Sequence, residues 1–144
     1  MKILVTGLPG SGKTVFSNKL FDLLDDSNLP VVYYNGDHMR EQYNDWDFSE
    51  VGRSRQLIRM TECADKCDEI NIIVVCDFIC PRNSYRDYFN ADIIIWMDTI
   101  KKSRYEDTNN IFEIPDKYDI KIETFEYNLE DVVRLIDVKR RSRN

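Results

Sequence analysis

Long apolar runs are missing from this chain. No stretch approaches the roughly 20 consecutive apolar residues of a membrane-spanning helix, so no membrane association of that kind is expected. Histidine occurs once, at His38. The four cysteines, Cys63, Cys67, Cys76 and Cys80, stand in two CxxxC spacings. A zinc knuckle uses the two-residue CxxC spacing and a second pair of ligands. The thiols therefore read as free and buried, in a reducing compartment. Only five glycines and four prolines are present, and no linker, internal repeat or low-complexity stretch is visible. Positive charge is in deficit, with 20 Lys and Arg against 26 Asp and Glu. Four of those 20 lie in the last six positions (Lys139, Arg140, Arg141, Arg143), leaving 16 basic residues for the rest of the chain. That balance disfavours broad binding to long nucleic acid and leaves room for a small anion or a nucleic-acid end in a local basic pocket.

What is present is a chain of 144 residues, 42% hydrophobic, enough for one folded domain with its own core. The expected organisation is a single domain over 1–138 and a solvated, frayed basic tail over 139–144. Because the sequence starts directly on an apolar strand, the expectation is a cytoplasmic protein without a signal peptide. An oligomer is compatible with all of this.

Residues 7–14 read Gly7-Leu8-Pro9-Gly10-Ser11-Gly12-Lys13-Thr14 and follow the apolar run Ile3-Leu4-Val5. GxxxxGK[ST] between a strand and a helix is a phosphate-binding loop. Its glycines bring backbone N–H groups close to the phosphates. Lys13 reaches the β- and γ-phosphates, Thr14 offers a hydroxyl to Mg²⁺, and the following helix adds the positive end of its dipole. ATP and Mg²⁺ are the implied cofactors.

Hydrophobic periodicity predicts strands over 2–6, 30–34, 71–76, 92–97 and 118–122. It predicts helices over 12–26, 38–44, 49–69, 81–88 and 129–136. Asn35-Gly36-Asp37 reads as a turn, and 100–116 as polar and without period. Along 49–69, Leu57, Met60, Cys63, Ala64 and Cys67 share one face. The alternation implies an α/β fold, a P-loop NTPase three-layer sandwich with a mostly parallel five-stranded sheet. Ligands then bind beyond the C-terminal strand ends, where the loop, Asp37, Asp77 and Asp98-Thr99 converge.

Asn35-Gly36-Asp37-His38-Met39-Arg40 resembles the DGDxxR segment of adenylylsulfate (APS) kinases. Asp47-Phe48-Ser49, with Arg53 and the segment 56–59, is similar to their GFSxxDRxENIRR. Phe78-Ile79-Cys80-Pro81 with Arg86-Asp87 is similar to FISPxRxxRD, and Ile95-Trp96-Met97-Asp98-Thr99 to the family's strand ending in Asp-Thr. The resemblance covers 1–99 and implies ATP-dependent, Mg²⁺-requiring phosphorylation of the ribose 3′-hydroxyl of APS, a small-molecule nucleotide substrate. It implies that Asp37 orients or deprotonates that hydroxyl; the phosphate-loop motif itself makes Lys13 the catalytic residue on the donor side. Arg40 and Arg53 would hold substrate anions, Phe48 would stack on the substrate adenine, Gln56 stands where the family has Asn, and Ile79 would line the base pocket. From the residues alone, Asp37 reads either as a placed base or as a helix cap. Arg59, Arg82 and Arg86 read as phosphate contacts or as surface ion pairs.

The departures from the pattern are specific. Gly52 replaces the Asp of the DR pair, Ile58 an Arg, and Cys80 the Ser of FISP. Asp77 replaces a small residue, at a position that suits a metal-holding acid or a helix cap. The family's long segment between the fourth and fifth strands is short here, with Arg104, Asn109, Asn110 and Phe112 as replacements. Two alternatives stand beside the APS reading. One is a kinase for another hydroxyl, of a nucleoside, a nucleotide or a nucleic-acid 5′-end. The other is a nucleotide-binding regulator without catalysis.

Overall fold

A computed structural model describes residues 1–143. Among these, strands and helices alternate as β1 (Lys2–Gly7), α1 (Lys13–Asp26), β2 (Val31–Asn35), α2 (Gly36–Tyr43), α3 (Glu50–Glu69), β3 (Ile73–Asp77), α4 (Asn83–Phe89), β4 (Ile93–Met97), α5 (Glu106–Ile111), β5 (Ile120–Ile122) and α6 (Glu130–Ser142). The sheet order is β2-β3-β1-β4-β5, and every pairing is parallel.

The inner strands are built from β-branched residues because both of their faces are covered. Successive side chains alternate between the two faces. Ile3, Val5, Ile73, Val75, Ile93 and Ile95 pack against Phe16, Leu20 and Leu24 of α1 and Val132 and Ile136 of α6. Leu4, Val74 and Cys76 face the other way, onto Met39, Leu57, Met60, Ala64 and Phe89 from α2, α3 and α4. The three-layer α/β sandwich read from the sequence is therefore the observed fold. The four-residue spacing Phe16, Leu20, Leu24 is the buried stripe of α1, whereas Val15 and Leu23 are exposed. The shared face of α3 is largely as expected, with Leu57, Met60, Ala64 and Cys67 buried. Cys63 at its edge is only half-buried, so the expectation of four buried thiols is corrected at that position.

The chain leaves β3 on one side of β1 and re-enters the sheet as β4 on the other. The C-terminal ends of β1, β2, β3 and β4, at Gly7, Asn35, Asp77 and Met97, open a crevice at this reversal of strand order.

Four further local expectations are corrected. The turn at 35–37 is instead the start of α2, because the Asn35 side chain accepts the His38 N–H and caps a helix. The polar segment 100–116 contains α5. Strand β5 begins at Ile120, since the Asp119 carboxylate, not a strand carbonyl, takes the Ile94 N–H at 2.8 Å. The basic tail is not a frayed end: α6 continues to Ser142, with Lys139, Arg140 and Arg141 complementing its dipole. Lys139 donates to the Asp92 carbonyl at 2.8 Å, and Arg143 pairs with Asp68 at 3.0 Å. Both partners precede strands, so these cations lie at the end of the sheet opposite the crevice. Asn144 lies outside the described residues.

Candidate active site

Loop 7–14 runs from the end of β1 into α1, as its motif requires. Gly10 and Gly12 have φ of +84° and +91°, where a side chain is strained. A Cβ at Gly12 would also meet the Phe125 ring at 3.2 Å. The Ser11 N–H bonds the Leu8 carbonyl at 3.1 Å, and Thr99 Oγ1 donates to the Ser11 carbonyl at 2.7 Å, tying the loop to the end of β4. Lys13 is the first residue of α1, and its Nζ donates to the Leu8 carbonyl at 3.0 Å. Burial lowers the Lys13 pKa, while the charges of Asp77 and Asp37 pull it back up.

Asp77, at the last position of β3, is 2% exposed. Its Oδ2 accepts from Tyr33 OH at 2.6 Å, Asn35 Nδ2 at 3.0 Å and Thr14 Oγ1 at 3.2 Å. Oδ1 takes no hydrogen bond among the described residues. Burial pushes the carboxyl up, opposed by the Tyr33 bond, the Lys13 charge and the Asn35 and Thr14 bonds. A hard carboxylate beside the loop hydroxyl is the donor set that suits Mg²⁺, so Thr14 and Asp77 fit the metal role expected of them.

Asp37 lies in the first turn of α2, exposed on the wall of the same cleft. The cap belongs to Asn35, so the Asp37 carboxylate is not spent on the helix end. The cleft encloses about 940 Å³ and is also lined by Arg40, Phe48, Arg53, Gln56 and Ile79. Every expected acceptor-side residue therefore reaches it, although several are held by the protein as well.

Arg40 and Arg53 are buried, and their guanidinium carbons lie 4.2 and 5.4 Å from the centre of the Phe48 ring. Arg40 Nη1 donates to the carbonyls of Asp45 and Asp47, each at 3.0 Å. Arg53 Nε donates to the Phe48 carbonyl at 2.8 Å. The two cations thus shape the 44–48 loop and present the Phe48 ring, which is 38% exposed. Gln56 donates to the Gly36 carbonyl at 2.8 Å and accepts from Arg59, fixing α3 against the start of α2. The Ile79 carbonyl accepts from Thr6 Oγ1 at 2.6 Å, which sets the β3–α4 turn. Next to it, Cys80 has a φ of +46° and is buried, and burial pushes its thiol up to about 12.

The other arginines are engaged elsewhere. Arg59 pairs with Asp45 at 2.9 Å, and Arg82 pairs with Glu50. Arg86 is buried and donates to the Glu113 carbonyl at 2.8 Å, over the Phe112 ring. Of the short segment after β4, Arg104 lines the cleft. Asn109 is used to close a turn on Ser103, and Phe112 packs under Arg86.

Sequence reasoning did not single out Tyr33, Asn35 or Thr108. Period two along β2 puts Tyr33 and Asn35 on one face, which is a usable signal. Thr108 had none, since its role depends on α5.

The adenylylsulphate kinase family model matches residues 1–114. The chain belongs to the adenylylsulphate kinase family. It is 31% identical over 110 residues to a probable adenylyl-sulfate kinase of Aeropyrum pernix, covering 73% of this chain and 60% of the relative. It is 35% identical over 95 residues to the adenylyl-sulfate kinase of Pseudomonas entomophila, covering 62% and 46%. The match thus spans about half the length of these curated adenylylsulphate kinases. In fold it superposes on the Mycobacterium tuberculosis APS kinase CysC, solved with AMPPNP and APS, with a TM-score of 0.76 at 19% identity, covering 96% of each chain.

Proposed function

We propose that this chain transfers the γ-phosphoryl group of ATP to a hydroxyl, and that the acceptor is the 3′-hydroxyl of adenylylsulfate. The observation that carries this reading is the uncommitted Asp37 carboxylate, on the same cleft wall as Lys13 and Thr14 on one side and the Arg40–Phe48–Arg53 group on the other. Asp37 takes the proton from the acceptor hydroxyl as its oxygen bonds to the γ-phosphorus, and the bond to the β–γ bridging oxygen breaks to release ADP. Lys13 and the N-terminus of α1 stabilise charge on the phosphoryl oxygens. Thr14 and Asp77 would hold Mg²⁺, which when bound with ATP supplies charge neutralisation at the phosphates. Phe48 offers a face for the acceptor base, and the remaining donors of Arg40 and Arg53 meet its anionic groups. Cys80, a buried neutral thiol at the Ser position of FISP, takes no part in a covalent step.

One observation favours a second acceptor class. The segment after β4 is short and folds as the single helix α5, which reaches the cleft through Asp107 and Thr108, so few residues are at hand there to select APS over another nucleoside or nucleotide hydroxyl. The nucleic-acid version loses the support of the basic tail, which sits at the far end of the sheet.

The test is transfer from γ-labelled ATP with Mg²⁺ to APS, nucleosides, nucleotides and 5′-hydroxyl oligonucleotides. Label on the APS ribose is the expected result. Label on another acceptor with none on APS overturns the acceptor, and no transfer to any of them supports the regulator instead.

A further inference from the structure

Asn35 and Asp77 are register partners at the C-terminal ends of the adjacent parallel strands β2 and β3. Asn35 Nδ2 lies 3.0 Å from Asp77 Oδ2, 3.2 Å from Thr14 Oγ1 and 3.2 Å from Tyr33 OH. Asn35 Oδ1 is committed to the His38 N–H at 2.9 Å. The amide therefore has one orientation, because a flip would set its oxygen against the carboxylate and its NH₂ against a backbone donor. Tyr33 OH donates to the same Asp77 Oδ2 at 2.6 Å. Three donors converge on one oxygen of a nearly fully buried carboxylate, and the other oxygen takes none among the described residues.

Position 35 thus has a stated chemical requirement: one group that donates across to β3 and one that accepts from the first turn of α2. An amide meets both at once. Two carboxylates at 35 and 77 would instead repel within hydrogen-bond distance. The segment that 35–40 resembles, DGDxxR, carries its acid at position 35, with a small residue at 77. In this chain the register pair again holds a single acid, one strand over.

Building on the phosphoryl-transfer reading above, we propose that Asn35 and Asp77 are an exchanged pair: one carboxylate, at either strand end, serves the metal accompanying ATP beside Thr14, and Asn35 with Tyr33 are the positioning residues that aim it.

The experiment is calorimetric titration of ATP into the full chain with and without Mg²⁺ and without any acceptor. In the unaltered chain Mg²⁺ tightens ATP binding. Asp77→Asn is expected to lose that enhancement while metal-free ATP still binds, which reports an intact phosphate loop. Asn35→Asp combined with Asp77→Asn is expected to recover the enhancement, since acid and amide have traded places. Tyr33→Phe, which removes one hydroxyl, is expected to weaken the Mg²⁺ enhancement about 10- to 100-fold with metal-free binding unchanged. Full enhancement in Asp77→Asn, or a double variant no better than Asp77→Asn, overturns the exchange. An unaltered enhancement in Tyr33→Phe overturns the aiming role and stands even where the Asp77 variant fails to fold. With no acceptor in the cell, failure of transfer to APS leaves this result readable, and failure here leaves the acceptor question untouched.

Discussion

Arg53 Nη2 donates to Thr108 Oγ1 at 2.9 Å, and both residues are buried. Arg53 comes from α3 and Thr108 from α5, so this bond fastens the short segment after β4 onto the cleft wall that carries Arg40 and Phe48. Asp107, with its carboxylate 3.6 Å from the same nitrogen, adds charge to the contact. Burial lowers the Arg53 pKa, and the charges of Asp107 and Glu50 oppose that shift.

Thr108→Val keeps the shape of the side chain and removes the acceptor. A buried hydrogen bond to a charged group contributes about 1.5–3 kcal/mol, so the variant should lose stability of that order in a urea melt. Acceptor KM should rise more than ATP KM, because the donor loop is not touched. Equal changes in both constants would show that α5 does not report to the acceptor side.

Gly52 matters for a different reason. A Cβ there would stand 2.0 Å from the Asp47 carbonyl oxygen, the same oxygen that accepts from Arg40. Gly52→Asp, which restores the residue of the DR pair, should push the 44–48 loop off α3. The expected cost is about 1–3 kcal/mol, typical of overpacking. An unchanged melting midpoint would mean that the loop does not rest on the helix as described.

Asp37→Asn separates catalysis from folding. Asn35 caps α2, so the substitution should leave stability within about 0.5 kcal/mol. Loss of a general base should lower kcat by about 10²- to 10⁴-fold with ATP affinity retained. Stopped-flow or steady-state turnover beside nucleotide titration decides it, and wild-type kcat would remove Asp37 from the mechanism.

Asp77 makes a pH-dependent prediction for stability. Burial raises its folded-state pKa above the ordinary 3.8, so the folded chain holds this proton more tightly than the unfolded one. The group therefore favours folding most below about 3.8, and that contribution is lost as pH rises through the folded-state value. Asp77→Asn should raise Tm at neutral pH, and the gain should shrink as the pH falls toward about 3.8. A gain that grows on acidification would reverse the sign of the shift.

The thiols give a simpler check. Cys63 is half-buried, and Cys67, Cys76 and Cys80 are buried. Burial pushes the Cys80 thiol up to about 12, so it stays protonated at neutral pH. A thiol reagent applied to the native chain should label Cys63 first, as read by peptide mapping, and early modification of Cys80 would contradict its burial.

The features legible from sequence were those governed by local rules. Strand–loop–helix with Gly10 and Gly12 at positive φ, the β-branched runs of β3 and β4, and the four-residue stripe of α1 each follow from backbone sterics and periodicity. Tyr33 and Asn35 were within reach of period two, but their meaning needed Asp77 on the neighbouring strand. The full length of α6 is not legible locally, because its last turn, Lys139 to Ser142, is polar on its own. It holds its shape through Asp92, Asp119 and Asp68, which are distant in sequence.

The amino-acid sequence by itself determined the phosphate loop, the α/β alternation and the arrival of Asp37, Asp77, Arg40 and Arg53 at the cleft, because these depend on residue type and short-range spacing. Asp107 reaches the cleft as well, whereas Asp98, Arg59, Arg82 and Arg86 do not. Only the tertiary structure decided which of them are free to act. It showed that Asn35 rather than Asp37 caps α2, that Gln56 and Arg86 are tied to backbone carbonyls, and that Arg53 is fastened to α5. The physical reason is that a buried polar group must find a partner, and the choice of partner is made by elements that meet only when the sheet closes.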